Sequence, residues 1–225
     1  MKTAVIIPAL NESGSIAQLV VETRQQPVDS VIVVDNASTD DTARRARQAG
    51  ATVVHEARRG YGFACAAGVA AADSADVIIF LDGDYSCPPA EIPLLLAPLQ
   101  ENRADLVIGS RELGYIAPGS MPPHQRFGNW LMARLMAVLY GLHVTDLGPY
   151  RAIRRDLLQS LSMREMTFGW TTEMTVKAAR QKTRIVEVPV SWLPRRAGKS
   201  KISGTVRGTI LAAYYIFGVT LRYAL

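Results

Sequence analysis

Val77-Ile-Ile-Phe-Leu-Asp-Gly-Asp-Tyr85 is the stretch on which the fold turns. Five apolar residues, Val77–Leu81, run straight into two carboxylates held apart by one glycine. A short run rich in valine and isoleucine suits a parallel strand buried on both faces. In open α/β sheets ligands bind beyond the carboxyl ends of such strands, which is where Asp82 and Asp84 fall. Similar runs precede and follow it at Ala4–Ile7, Ser30–Val34, Thr52–Val54 and Leu106–Ile108. Helical stretches separate them, near Ser15–Gln25, Asp40–Ala49, Gly62–Ala72 and Ala90–Glu101. Asp40 and Asp41 head one of these and Gly50 follows it, as helix start and stop signals should. The repeated βα units predict an α/β fold, a doubly wound and mostly parallel sheet with flanking helices.

Beyond residue 110 the pattern changes. Glu112–Gln125 is rich in Gly, Pro and Ser, the composition of a site loop or hinge. A helix is expected over Phe127–Leu142 with Leu131, Leu135, Val138 and Leu142 on one stripe, then a helix over Trp170–Arg180 and a strand over Arg184–Val190. Gly208–Leu221 is uncharged and strongly apolar, bracketed by Arg207 and Arg222. Fourteen helical residues reach only about 21 Å, short of the ~30 Å hydrocarbon core, so this segment is not expected to span a membrane. A core helix, a contact between copies of the chain and a helix lying on the membrane surface all fit it. The cationic flanks and nearby Lys199 and Lys201 favour the last. No internal repeat or low-complexity tract interrupts the chain.

At 225 residues the chain has room for one domain and a short appendage, and its 48% apolar and 20% charged residues are ordinary for a globular protein. The two cysteines make neither a disulfide framework nor a metal-binding spacing, and no signal peptide is read at the start, so a reducing, cytoplasmic compartment is expected. The net charge of +5 is unevenly placed. From Met174 onward ten basic residues face the single acid Glu187, a surplus of +9 that leaves −4 for the residues before it. A basic end of this kind suits phosphate-bearing ligands or anionic membranes, the bland reading being a solvated face. His55, His124 and His143 stand singly without ligand spacing, Met132 and Met136 read as filler, and Trp170 and Trp192 read as packing anchors.

Three strands end in acids at one predicted sheet edge: Asn11 and Glu12 in IIPALNE, Asp35 in VVDNASTD, Asp82 and Asp84 in FLDGDY. One such carboxylate is readily a helix cap, whereas three on the same edge point to a ligand. Two aspartates around Gly83 suit a hard divalent cation such as Mg²⁺, which takes one or two carboxylates and fills its shell with water and phosphate. Asp146 and Glu173 are read either as general bases or as structural hydrogen-bond acceptors.

Together IIPALNE, VVDNASTDDT, RRGYGFA and FLDGDYSCPP resemble the nucleotide-sugar-binding half of family 2 glycosyltransferases, which have the GT-A fold. VIGSR, DLGPYRAIRRDLL and RRAGKSKISG resemble the branch that contains dolichyl-phosphate mannose and glucose synthases. The resemblance implies a metal-dependent, inverting transfer of a hexose from a GDP-mannose or UDP-glucose type donor to a polyprenyl phosphate, without nucleic acid. It implies that Pro8, Ala9, Asn11 and Glu12 line the nucleoside pocket and that Asp35 meets the base, with Arg59 and Gly60 nearby. Asp82 and Asp84 would hold Mg²⁺ or Mn²⁺ against the diphosphate, with Gly83 between them lining the donor site. Arg111 and Arg126 would grip the acceptor phosphate. Arg195, Gly198, Ser200 and Lys201 match an Arg-x-x-Gly-x-Ser-Lys loop that closes on the phosphates, with Ser200 assigned to the acceptor side. Ser86 departs from the pattern, standing where the branch can supply a third, stronger metal ligand. The implied layout is a catalytic domain over 1–204, its donor half 1–110 and its acceptor half 111–204, and an apolar helix over 205–225 resting on the cytoplasmic face of the membrane or joining two copies. A sugar-hydroxyl acceptor, a sugar nucleotidyltransferase and a non-enzymatic membrane-binding module remain alternatives. The nucleotidyltransferase lacks support because Pro-Ala-Leu-Asn-Glu replaces the Gly-rich basic loop usual after the first strand.

Overall fold

The computed structural model of the chain describes residues 1–197 and 206–224, with side chains of the last segment from Ile210 onward. Gly198, Ser200 and Lys201 therefore lie outside the described residues. Seven strands form one sheet: β1 (Thr3–Ala9), β2 (Ser30–Asp35), β3 (Thr52–His55), β4 (Val77–Phe80), β5 (Leu106–Ile116), β6 (Arg151–Arg154) and β7 (Ile185–Trp192). Their order is β3-β2-β1-β4-β6-β5-β7. All neighbours are parallel except β6, which runs antiparallel to β4 and β5.

The alternation of β1 shows how the sequence builds two layers. Val5, Ile7 and Ala9 join a core with Ile16, Leu19 and Val20 of α1 (Ile16–Arg24), Ala46 of α2 (Thr42–Gln48) and Ile92, Leu95 and Leu96 of α4 (Ile92–Gln100). Ala4 and Ile6 face the other way, toward Ala64 and Cys65 of α3 (Tyr61–Ala71), Leu157 and Leu158 of α6 (Arg155–Ser160) and Met174 of α7 (Trp170–Arg180). Each fully buried valine, leucine or isoleucine here contributes about 1.5–3 kcal/mol by leaving water. Gly68 allows the close approach of α3, since a Cβ there would lie 2.3 Å from Ile6 Cγ2. Trp170 is a packing anchor as read, meeting Phe80 edge to face at 6.3 Å.

The fold departs from the sequence reading beyond residue 105. β5 continues to Ile116 with an irregularity between Ser110 and Tyr115, so part of the Gly/Pro/Ser stretch belongs to the sheet because β7 pairs with it. β6 and α6 were not anticipated. α5 (Pro123–Tyr140) starts earlier than expected, and its inward face is rotated from the expected one. Met132 and Met136 are its buried residues, packed with Val176 of α7 and Val219 of α8 (Val206–Arg222), while Leu135 and Leu142 of the predicted stripe pack against them only partly buried. Val138 is 79% exposed. The helix is apolar on more than one side, and its two helical neighbours decide which side is covered. Tyr140 donates to the Thr220 carbonyl, tying α5 to α8. Among the described residues no helix is long and apolar enough to cross a membrane.

Candidate active site

The carboxyl ends of β1, β2 and β4 meet at one edge, and the loops after them are stitched to one another. Ala9 lies opposite Asp35 and Pro8 opposite Val34 in the β1–β2 register. Asn11 adopts a left-handed backbone with φ 54°, which asparagine tolerates. Its Oδ1 accepts the Thr39 N–H at 2.8 Å, and its own N–H donates to Ser38 Oγ at 3.0 Å. The Glu12 N–H donates to Thr42 Oγ1 at 2.8 Å. Buried Asp35 accepts the Ser38 N–H through Oδ1, while Oδ2 meets His55 Nδ1 at 2.9 Å. His55, read as unremarkable, is thus part of this edge.

Asn36, which the sequence reading passed over, organises the next loop. Its amide donates to the carbonyls of Glu56 and Arg58 and its Oδ1 accepts the Gly60 N–H at 2.9 Å. Arg58 is held by Glu56, whose carboxyl it pulls down to about 2, and Arg59 beside it is exposed. Gly62 is required by close packing, for a Cβ there would meet Glu165 O and Met166 Cα at 2.5 Å. Between Gly60 and Gly62, Tyr61 sends its hydroxyl to Asp82 Oδ1 at 3.1 Å.

Asp82 and Asp84 flank Gly83, whose carbonyl accepts the Ser15 hydroxyl at 2.8 Å. Asp84 Oδ1 accepts the N–H and hydroxyl of Ser86 at 2.9 and 2.6 Å, so Ser86 orients this carboxylate. Arg195 inserts into the same edge. Its Nη1 donates to Asp84 Oδ2 at 2.5 Å and its Nη2 to Glu12 Oε1 at 2.6 Å, while its buried Nε has no partner among the described residues. The Arg196 N–H to the Asp84 carbonyl and the Leu193 N–H to the Ser86 carbonyl hold this segment down. Burial, followed by the like charge of Asp84, pushes the Asp82 carboxyl up to about 7, against the pull of Tyr61, Arg195 and Arg111. A partly enclosed carboxylate pair of this kind is short of positive charge, and the donor set fits a hard divalent cation. Among the described residues no group of three or more His, Cys, Asp or Glu gathers to hold a metal. A cation at Asp82 and Asp84 would complete its shell with water and ligand phosphate.

On the other side of β4 stands Arg111, near enough for its charge to act on Asp82. Its Nε and Nη2 donate to the two oxygens of Asp146 at 2.6 Å, and its guanidinium lies 4.9 Å from the Trp192 ring. Trp192 therefore positions a cation besides packing. Asp146 is fully buried, and its N–H donates to Glu187 Oε1 at 2.9 Å. Arg126 is held elsewhere, by Glu112 on an exposed surface, so the two arginines read together are each engaged by a carboxylate of their own. Glu173 accepts the Arg164 and Glu165 N–H groups, the Tyr223 hydroxyl and the Lys177 ammonium, a structural hub that joins α7 to the end of α8. Beneath the edge Arg151 is fully enclosed and donates to the carbonyls of Gly148 and Thr171, and burial lowers it to about 10. Nothing in RAIRR marks Arg151 as a core residue, because only the antiparallel insertion of β6 turns it inward.

The doubly wound sheet and its carboxylate edge fit a glycosyltransferase, and the chain belongs to glycosyl transferase family 2, whose sequence model matches residues 4–162. An uncharacterized glycosyltransferase of Mycobacterium tuberculosis is 39% identical over 209 residues, 92% of this chain and 93% of its own length. An undecaprenyl-phosphate mannosyltransferase of Micrococcus luteus is 32% identical, over 99% of this chain and 96% of its own. Among solved structures, glucosyl-3-phosphoglycerate synthase from Mycobacterium tuberculosis, in complex with Mn²⁺, UDP and glucosyl-3-phosphoglycerate, superposes with a TM-score of 0.79 at 25% identity, over 99% of this chain and 80% of that one.

Proposed function

We propose that the protein is an inverting hexosyltransferase that moves a sugar from a nucleotide diphosphate donor, of the GDP-mannose or UDP-glucose type, to a polyprenyl phosphate such as dolichyl or undecaprenyl phosphate. The observation that carries the acceptor class is the Arg111–Asp146 pair. Asp146, one of the two carboxylates considered as a base, is fully buried and engaged by Arg111 through both oxygens. A sugar hydroxyl needs a positioned base, whereas a phosphate monoester, with a second pKa near 6, is already anionic. Asp146 takes Arg111 Nε and Nη2 and leaves Nη1 for an anionic acceptor. Arg126 joins it by exchanging Glu112 for the ligand.

On the donor side Pro8, Ala9, Asn11, Glu12, Asp35, Arg59 and Gly60 would surround the nucleoside, and Asp82 and Asp84 would hold Mg²⁺ or Mn²⁺. When bound there, such a cation would supply positive charge against the departing diphosphate. Arg195 turns from the carboxylates to the phosphate oxygens, and Gly198, Ser200 and Lys201 close over them. The acceptor phosphate then attacks the anomeric carbon in line, its oxygen forming the new bond as the nucleotide diphosphate leaves, with inversion. The Mn²⁺ and UDP of the structural neighbour support the donor reading, and the Micrococcus luteus relative supports the acceptor. The same neighbour favours a second reading, a small phosphorylated acid as acceptor.

Peripheral attachment to the cytoplasmic face of a membrane fits α8, whose Ile210, Leu211, Tyr214 and Leu221 are exposed. The deciding assay is transfer from radiolabelled GDP- and UDP-sugars with Mn²⁺ to undecaprenyl or dolichyl phosphate, to the phosphate-free alcohols and to 3-phosphoglycerate. Transfer to the lipid phosphates alone is the expected result. Equal use of the alcohols, or use of phosphoglycerate only, overturns it. Flotation with anionic liposomes should recover the full chain but not one ending at Ser203, and equal recovery would remove the membrane role of α8.

A further inference from the structure

The two aspartates of the carboxylate edge are anchored very unequally. Asp84 has three side-chain interactions, with the Ser86 N–H, the Ser86 hydroxyl and Arg195. Asp82 has a single hydrogen-bond partner among the described residues, the Tyr61 hydroxyl at 3.1 Å. Rotation of an aspartate carboxylate about its terminal torsion is broad and roughly two-fold, so one directed hydrogen bond largely sets its orientation.

Tyr61 is itself delivered by backbone rather than by chance packing. The Gly60 N–H is bonded to Asn36 Oδ1 on one side, and the Phe63 N–H donates to the Met166 carbonyl at 3.1 Å on the other. Gly62 admits the 165–166 backbone to a distance that any side chain would block. The phenol sits against the core layer of Phe80 and Trp170 and points up to the carboxylate. It is neutral, offers one proton, and occupies only Oδ1, so Oδ2 is left to a ligand.

We infer that Tyr61 is a positioning residue that fixes the Asp82 carboxylate for the divalent cation of the donor complex. The inference rests on the metal reading given above. Hydrogen-bond partners of ligating carboxylates commonly govern metal affinity by about 10–100-fold, and Tyr61 is the one such partner of Asp82 in the described residues.

The test is the free-Mn²⁺ signal in electron paramagnetic resonance, titrated against the full chain with UDP and with GDP in turn. Tyr61→Phe keeps the ring and removes the hydroxyl. It should weaken Mn²⁺ binding by about 10–100-fold, leave nucleotide binding without metal unchanged, and recover kcat at saturating Mn²⁺. In an Asp82→Ala background the same substitution should change nothing further, because Tyr61 acts through Asp82. Wild-type Mn²⁺ affinity in Tyr61→Phe, or an additive loss in the double variant, overturns the positioning role alone. Failure of the wild-type protein to bind Mn²⁺ with either nucleotide overturns the metal reading and this inference with it.

Discussion

Replacing Arg195 by alanine should do two opposite things. In the structure its guanidinium lies against Asp84 at 2.5 Å and Glu12 at 2.6 Å, in the place where positive charge is needed. A cation entering at Asp82 and Asp84 must first move it off Asp84. A hydrogen bond to a charged group is worth about 1.5–3 kcal/mol. With the Arg195 side chain 24% exposed, solvent screening reduces this to about 1–2 kcal/mol. Arg195→Ala should therefore bind Mn²⁺ roughly 5–30-fold more tightly than wild type in the absence of nucleotide. Without Mn²⁺ the variant should be less stable, because Glu12 and Asp84 lose the cation they share. A loss of about 2 kcal/mol lowers Tm by roughly 4–8 °C in a chain of this size. Sugar transfer should be lost, since the phosphates lose their bidentate partner. Mn²⁺ titration followed by electron paramagnetic resonance, with calorimetry of the metal-free protein, reads both effects. Unchanged or weaker Mn²⁺ binding in the variant refutes the argument that arginine and metal compete for one carboxylate.

Asp84→Ala should abolish transfer, as should excess EDTA on the wild type, and full activity in either would remove the metal from the reaction. The folded-state pKa of Asp82, raised from 3.8 to about 7 chiefly by burial, gives metal-free protein a stability that falls as pH rises from about 4 to 7. A Tm profile over that window should lose this slope in Asp82→Asn, and an identical slope in the variant would assign it to another group. Gly62→Ala places a methyl 2.5 Å from Glu165 O and should cost about 1–3 kcal/mol, read as a Tm drop of roughly 3–10 °C. An unchanged Tm would mean that the 165–166 backbone yields freely. Burial raises the Glu173 carboxyl, but Lys177, Tyr223 and two N–H groups outweigh it and leave it lowered, so its stabilisation is present at neutral pH and fades in acid. Glu173→Gln should lose about 1–3 kcal/mol at pH 7, less as pH falls, and keep its turnover. Loss of turnover by orders of magnitude would make Glu173 a base.

The strands of the first 110 residues were legible because each is a short Val/Ile run whose next residues are polar, and burial on both faces leaves few other readings. The edge acids were legible for the same reason, since strand ends locate them. What could not be read was who neutralises whom. Arg195 is 111 residues from Asp84 in sequence, and Tyr61 reaches Asp82 only because two glycines and Asn36 shape a loop. Met132 and Met136 are buried more deeply than Leu135 and Leu142 of the expected stripe because the inward face of α5 is chosen by α7 and α8, which local periodicity does not contain. In the second half the helix over Trp170–Arg180 and the strand near Arg184–Val190 were legible, whereas β6 escaped because Arg-Ala-Ile-Arg has no apolar run of its own and is held in place by its neighbours.

That strand has a consequence for how the chain is made. β6 fills the gap between β4 and β5, pairing Phe80 with Arg151 and Ile108 with the same residue. Until Arg151–Arg154 have left the ribosome, β4 presents an open, fully apolar edge. The intervening stretch of about 70 residues takes several seconds to synthesise at 5–20 residues per second. Any sheet that forms in that interval has β4 as its exposed rim, a template for wrong partners. Chaperone demand should therefore be greatest while the segment between β4 and β6 is being translated, and should fall once the single antiparallel strand joins β4 to β5, leaving only the outer edge of β5 for β7 to cover.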